Sequence, residues 1–150
     1  MSKFAVIGTT SWGITLGLIM ARKNDEVRIW ARTEKEAARL TKNGLDQNKF
    51  ADIAVPPGMT FTSRIAEALD DVNALIIAVP SATMRQNISQ AASFLTKSTL
   101  IISVSKGLET GSNKRMSEVI AEEIDEKLRS NICCLLYTSD AADEEDSVDL

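Results

Sequence analysis

Residues 3–13, KFAVIGTTSWG, decide the fold. Phe4, Ala5, Val6 and Ile7 form a short apolar run, β-rich in type, that stops at Gly8. Beyond it Trp12, Leu16, Ile19 and Met20 recur at helical spacing, and Ser11 stands where an N-cap is expected. A strand, a glycine turn and a helix in this order make the first βα unit of a dinucleotide-binding fold. The start of such a helix offers backbone N–H groups without helical partners and the positive end of its dipole, which together attract a pyrophosphate. Gly8 is expected to permit the turn, and Gly13 to let the helix lie close to the sheet. One position departs from the G-x-G-x-x-G pattern: Thr10 stands where the second glycine would be. A side chain there restricts the approach of backbone to phosphate, while its hydroxyl offers a hydrogen bond to a phosphate oxygen. On this stretch alone, the alternative is a buried strand turning tightly into a helix with no ligand.

The whole chain sets the bounds. Its 150 residues are enough for one domain with a real core, and 44% apolar with 25% charged residues is ordinary for a globular protein. No apolar run is long enough to span a bilayer, and the N-terminus lacks a signal peptide's apolar core, so a cytoplasmic location is expected. The net charge of −4 is concentrated at one end. Asp140, Asp143, Glu144, Glu145, Asp146 and Asp149 are 6 of the 21 acids, leaving 15 acids against 17 bases, or +2, in the rest. A near-neutral body points to neither a nucleic acid nor a membrane as partner. Cys133 and Cys134 are adjacent and there is no histidine, so neither a zinc site nor a long-range disulfide is expected.

Along the chain, residues 26–31 (EVRIWA) read as a second strand with Val27, Ile29 and Ala31 on one face. Thr33 is expected to cap a helix, with Glu36 at the capping-box position and Gly44 as its stop. A loop over 46–58 leads to a strand at 59–62, and Ser63 is the expected cap of a short helix. Residues 74–79 (ALIIAV) and 99–104 (TLIISV) read as strands buried on both faces. Between them Pro80 and Ser81 open a helix with Met84, Ile88 and Leu95 inward. Residues 114–129 read as one amphipathic helix with Met116, Val119, Ile120, Ile124 and Leu128 on its apolar face. Alternation of this kind predicts an α/β fold, a doubly wound, mostly parallel, Rossmann-like sheet of order 3-2-1-4-5-6. Gly8, Arg32, Pro80 and Lys106 then all fall at carboxyl ends of strands, where such sheets bind ligands.

Several of these residues have a chemistry to offer. The cofactor ribose is usually read near the end of the second strand by an acid. Here Arg32 stands there, with no acid until Glu34. A guanidinium in that place stacks on adenine or pairs with a 2′-phosphate, for about 1.5–3 kcal/mol, unless it is simply solvated. Both NADH and NADPH are therefore expected to bind, with a mild preference for NADPH. Lys106 can hold an anionic substrate or a carbonyl oxygen, or lie in water. Pro80, between Val79 and Ser81, shapes the cleft wall rather than reacting. Trp12 is either a core anchor, the favoured reading, or a lid over the cofactor.

Five stretches in order, AVIGTTSWG, VRIWAR, ALIIAVPS, SVSKGLE and KRMSEVIAEE, closely resemble bacterial-type NAD(P)-dependent glycerol-3-phosphate dehydrogenase over residues 2 to about 132. The resemblance implies reduction of dihydroxyacetone phosphate to sn-glycerol 3-phosphate, for phospholipid backbones. It implies that Ser11 and Trp12 contact the cofactor, Arg32 its adenosine end, and Lys106 both nicotinamide and substrate. The implied cofactor set is Gly8, Thr10, Ser11, Trp12, Gly13, Arg32, Pro80 and Lys106, with Lys106 also the substrate-binding residue. Thr10 and the loop NKFADIAVPPG, which lacks the family's Tyr-Leu-Pro, depart from the pattern. In the family a helical substrate domain follows, bearing the lysine that handles the proton, so no catalytic residue is expected within these residues. The partner expected is a small phosphate ester, and the intact enzyme is expected to be a homodimer.

Residues 1–133 are expected to form the NAD(P)-binding domain, and 134–150 a non-native, disordered acidic tail. CLLYTSDAADE, from Cys134 on, resembles one reading frame of a sequencing adapter, and the family pattern ends there. Two other readings stand beside this one. Another dehydrogenase with this N-terminal fold, ketopantoate reductase-like or acting on a sugar nucleotide, is opposed by SVSKGLE and RMSEVIAEE. A non-catalytic NAD(H)-sensing module would need a native chain end near Ser130.

Overall fold

The apolar run at the N-terminus becomes β1 (Lys3–Ile7), the third strand of a six-stranded parallel sheet in a computed structural model that describes residues 1–51 and 53–135. The other strands are β2 (Glu26–Trp30), β3 (Met59–Thr62), β4 (Ala74–Ile77), β5 (Leu100–Ser103) and β6 (Ile132–Cys134). Their order is β3-β2-β1-β4-β5-β6, as the sequence predicts, and every pair is parallel. Ile7 sits level with Trp30 on one side and Ile77 on the other, so three strands end together. The pairing of β6 runs through Cys134, one residue past the boundary expected at 133. The expected tail otherwise falls on 136–150, outside the described residues.

Helices α1 (Ser11–Ala21), α2 (Glu34–Asn43), α3 (Ile65–Ala68), α4 (Met84–Ala91) and α5 (Met116–Glu123) cover both faces. Alternate residues of β1 feed two cores. Val6 joins Val27, Ile29, Ile76 and Ala78 beneath α1 and α2, while Ala5 and Ile7 join Leu75, Ile77 and Ile101 beneath α3, α4 and α5. Burying each valine, leucine or isoleucine among them stabilises the fold by roughly 1.5–3 kcal/mol.

Several local expectations are corrected. The N-cap of α1 is Thr10, not Ser11, and its hydroxyl accepts from the Gly13 N–H at 3.2 Å. The buried face of α1 is Gly13, Ile14, Gly17, Leu18 and Ala21, so of the stripe Trp12, Leu16, Ile19 and Met20 the first and third are exposed, while Leu16 and Met20 only flank the core, partly buried. Residues 14–21 are apolar nearly all round apart from Thr15, and spacing could not choose a face. The sheet takes the small residues because they let the helix axis come close. Trp12 is accordingly 44% exposed and anchors no core. On β2, Trp30 is buried on the face opposite Val27 and Ile29, with its indole N–H donating to the Ser63 carbonyl at 3.0 Å. Ser63 is therefore not a cap. Thr62 accepts from the Arg64 N–H just ahead of α3 instead.

The long helices are also interrupted. Residues 81–94 form a 3₁₀ turn, α4 and a second 3₁₀ turn, with Met84 and Ile88 buried and Leu95 packed at the edge of the core. The predicted helix over 114–129 breaks at Ile124, which is extended. Asp125 causes the break: its carboxylate accepts from the Lys127 N–H at 2.9 Å and starts a 3₁₀ segment, Glu126–Asn131. The five apolar residues named for that helix are nonetheless all buried. Leu100, at the start of β5, is exposed rather than enclosed on both faces.

Candidate functional site

Where β1, β2 and β4 end together, the chain leaves a cleft of about 330 Å³. Gly8, Thr9 and Thr10 line it from β1, Trp30, Arg32 and Thr33 from β2, and Val79 and Pro80 from β4. Glu36 of α2 and Asn87 of α4 complete the wall. The turn at its base depends on two bare α-carbons. Gly8 has φ +116°, and a Cβ there would lie 2.4 Å from the Ala78 carbonyl oxygen. A Cβ on Gly13 would lie 2.4 Å from the Gly8 oxygen. The first turn of α1 is thereby pressed against the ends of β1 and β4. By helix geometry the N–H groups of Ser11 and Trp12 find no partner within α1, and both residues are exposed at the helix start.

Thr10 is engaged within the chain. Its hydroxyl donates to the Ala78 carbonyl at 3.0 Å while accepting from Gly13, so it ties the turn to β4 and caps α1 at once. The hydroxyl expected to meet a phosphate thus has an acceptor within the chain, the Ala78 carbonyl. Glu36 also departs from expectation. Thr33 accepts from the Glu36 N–H at 3.2 Å, but the Glu36 carboxylate crosses to Thr9, whose hydroxyl donates to it at 2.6 Å. An acid thus enters the cleft two residues beyond Glu34, where strand-end spacing did not look for one.

The structure brings Gly8, Thr10, Arg32 and Pro80 onto one cleft, with Ser11, Trp12 and Gly13 at the adjoining helix start. Lys106 is placed apart: it is exposed on the loop after β5 and does not line the cleft. The two regions are linked through Ser105, whose hydroxyl donates to the Ile77 carbonyl and accepts from the Val79 N–H, each at 3.2 Å. Beyond Lys106 the loop is held by Glu109. The Arg85 guanidinium binds that carboxylate through two nitrogens at 2.7 and 2.9 Å, and also reaches Glu122 and Glu123. Hydrogen bonds from Arg85 first, then Ser112, pull the Glu109 carboxyl down to about 2 and leave it ionised at neutral pH. Sequence reasoning missed Thr9, Glu36, Asn87 and Arg85. Only Glu36 had a signal, as the third residue of a helix that begins at the end of β2.

A parallel sheet of this order, with a glycine turn into a helix start at the switch between β1 and β4, defines a dinucleotide-binding domain of the doubly wound class. The family described as NAD-dependent glycerol-3-phosphate dehydrogenase N-terminus matches residues 3–144, and the chain belongs to it. A glycerol-3-phosphate dehydrogenase [NAD(P)+] of Dehalococcoides mccartyi is 48% identical over 136 residues, covering 90% of this chain and 38% of the relative. One from Enterococcus faecalis is 35% identical, covering 93% of this chain and 41% of the relative. The glycerol-3-phosphate dehydrogenase structure from Coxiella burnetii superposes with a TM-score of 0.75 at 27% identity, over 82% of this chain and 38% of that one. The chain thus spans about two fifths of the length of the curated relatives it matches. Among the described residues no helix is long and apolar enough to cross a membrane.

Proposed function

We propose that this chain is the cofactor-binding part of an enzyme that reduces dihydroxyacetone phosphate to sn-glycerol 3-phosphate with NADH or NADPH. The observation that supports it most is the meeting of the Gly8 turn, the α1 start and Arg32 on one cleft at the ends of β1, β2 and β4. The pyrophosphate fits at the N–H groups of Ser11 and Trp12, beside the turn that Gly8 and Gly13 allow. Arg32 lies toward the adenosine end, with Pro80 and Val79 as the opposite wall. Trp12, exposed beside the cleft, is free to cover the cofactor. Lys106 meets the phosphate or carbonyl of the substrate at the neighbouring strand end, held in place by the loop that Arg85 pins. When bound, the nicotinamide supplies the hydride.

The test is titration of the 150-residue chain with NADH and NADPH, followed by nucleotide fluorescence, for wild type and Ser11→Asp. An acid at the first position of α1 suits the helix dipole, so folding is preserved. It also puts a like charge where the pyrophosphate lies. We expect at least about a tenfold loss of affinity for both cofactors. Unchanged affinity in a folded variant would remove the pyrophosphate from this helix start.

A further inference from the structure

The cleft holds one charged group that the proposed function leaves unused. Glu36 is on the first turn of α2, three residues past its N-cap Thr33. In a capping box its carboxylate would turn back to the backbone N–H of that cap. Here it reaches across to Thr9, on the turn after β1, at 2.6 Å. The contact joins residues 27 apart in sequence and spans the floor of the cleft between the ends of β1 and β2. In a doubly wound sheet the adenosine ribose lies over that pair of strand ends. Arg32 lines the same wall, yet among the described residues no ion pair joins it to Glu36. Thr9 contributes a neutral hydrogen-bond donor to the carboxylate and no balancing cation.

We propose that Glu36, latched by Thr9, selects the cofactor at its adenosine ribose: the carboxylate accepts from a 2′-hydroxyl and repels a 2′-phosphate, making NADH the preferred dinucleotide. This rests on the cofactor-binding reading above. It reverses the preference for NADPH expected from Arg32 alone, because that expectation assumed no acid near the end of β2. A 2′-phosphate carries close to two negative charges at neutral pH, as other phosphomonoesters do. Facing one carboxylate and one guanidinium, it gains on one side and loses on the other. A neutral diol loses nothing, and its hydroxyl gives a charge-assisted hydrogen bond to the remaining carboxylate capacity. Arg32 is left to stack on the adenine, which serves both cofactors alike.

The experiment measures the affinity of the 150-residue chain for NADH and for NADPH in wild type, Glu36→Gln, Thr9→Val and Arg32→Ala, at low and at high salt. Wild type is expected to favour NADH. Glu36→Gln should move the affinity ratio toward NADPH by about tenfold or more, and high salt should shrink that shift by screening. Thr9→Val keeps the carboxylate but releases it, and should move the ratio the same way by less. Arg32→Ala should weaken both cofactors. If Glu36→Gln does not fold, Thr9→Val decides. A wild type that favours NADPH, or a ratio that stays within about twofold of wild type in the folded variants, would overturn the assignment to Glu36 while leaving the cofactor site standing. Failure of wild type to bind either dinucleotide would overturn the cofactor site and this inference with it.

Discussion

Gly13 and Gly17 lie one turn apart on the buried face of α1, yet they are needed for different reasons. A Cβ on Gly13 meets a backbone atom, the Gly8 oxygen, at 2.4 Å, and that oxygen belongs to a turn fixed by the positive φ of Gly8. A Cβ on Gly17 meets the far end of the Ile29 side chain at 2.7 Å, and Ile29 can change rotamer. Helix propensity favours alanine over glycine by about 1 kcal/mol at either place, against an overpacking cost of about 1–3 kcal/mol. Gly17→Ala is therefore expected to leave stability within about 1 kcal/mol of wild type, whereas Gly13→Ala should lose more than about 2 kcal/mol because backbone cannot yield. Urea unfolding midpoints check this, and a Gly17→Ala loss as large as that of Gly13→Ala would contradict it.

Among the elements, the loop between β5 and α5 depends most on contacts made at a distance. Arg85 of α4 holds Glu109 of the loop and Glu122 and Glu123 around the end of α5. Lys114 adds a further pair with Glu122. The pairs range from partly buried to exposed and are weak singly, but a shared guanidinium makes them a network. The Glu109 carboxyl is depressed from 4.5 to about 2. A carboxyl depressed in the folded state stabilises above its ordinary value, and that contribution is lost as pH falls toward the folded value. Amide-exchange protection of residues 105–114 should thus persist at neutral pH and fade between about 4.5 and 2. Arg85→Ala should lower that protection at neutral pH and abolish most of its acid dependence, with the β-sheet amides unchanged. Equal protection in both proteins across that range would show that the loop is held by something else.

For the molecule as a whole, the cleft is expected to bind cofactor without delivering a proton, because among the described residues its lining holds one carboxylate, Glu36, and no lysine. Glu109 is held ionised by Arg85, Glu36 is engaged by Thr9, and the chain has no histidine. Lys106 is exposed, outside the cleft lining. Without a positioned acid, reduction of a ketone loses about 10²- to 10⁴-fold, and loose substrate positioning multiplies the loss. The 150 residues alone are expected to bind cofactor and to turn over dihydroxyacetone phosphate at least about a hundredfold more slowly than a chimera carrying the remainder of the Dehalococcoides relative. Cofactor oxidation followed by absorbance makes the comparison. Comparable rates would place the proton donor within this chain. In the chimera, Lys106→Ala should cut kcat/KM for the ketone by more than it weakens cofactor binding.

The sequence by itself determined the alternation of strands and helices, the strand order, the glycine turn and the family resemblance. Each of these rests on signals within a few residues: apolar runs such as 4–7 and 74–79, breakers such as Gly8 and Pro80, and motifs with fixed spacing. The same local signals placed Gly8, Arg32 and Pro80 at strand ends, and parallel register then carried them to one cleft. What only the tertiary structure decided are the relations between distant residues. Thr10 binds Ala78 68 residues away, Thr9 binds Glu36 27 away, and Arg85 binds Glu123 38 away. No periodicity encodes such pairs, because each depends on two strands or helices already being docked. The buried face of α1 belongs here too. With apolar residues on nearly every side, its orientation was settled by steric fit, since only Gly13 and Gly17 let the helix lie against β1, β2 and β4.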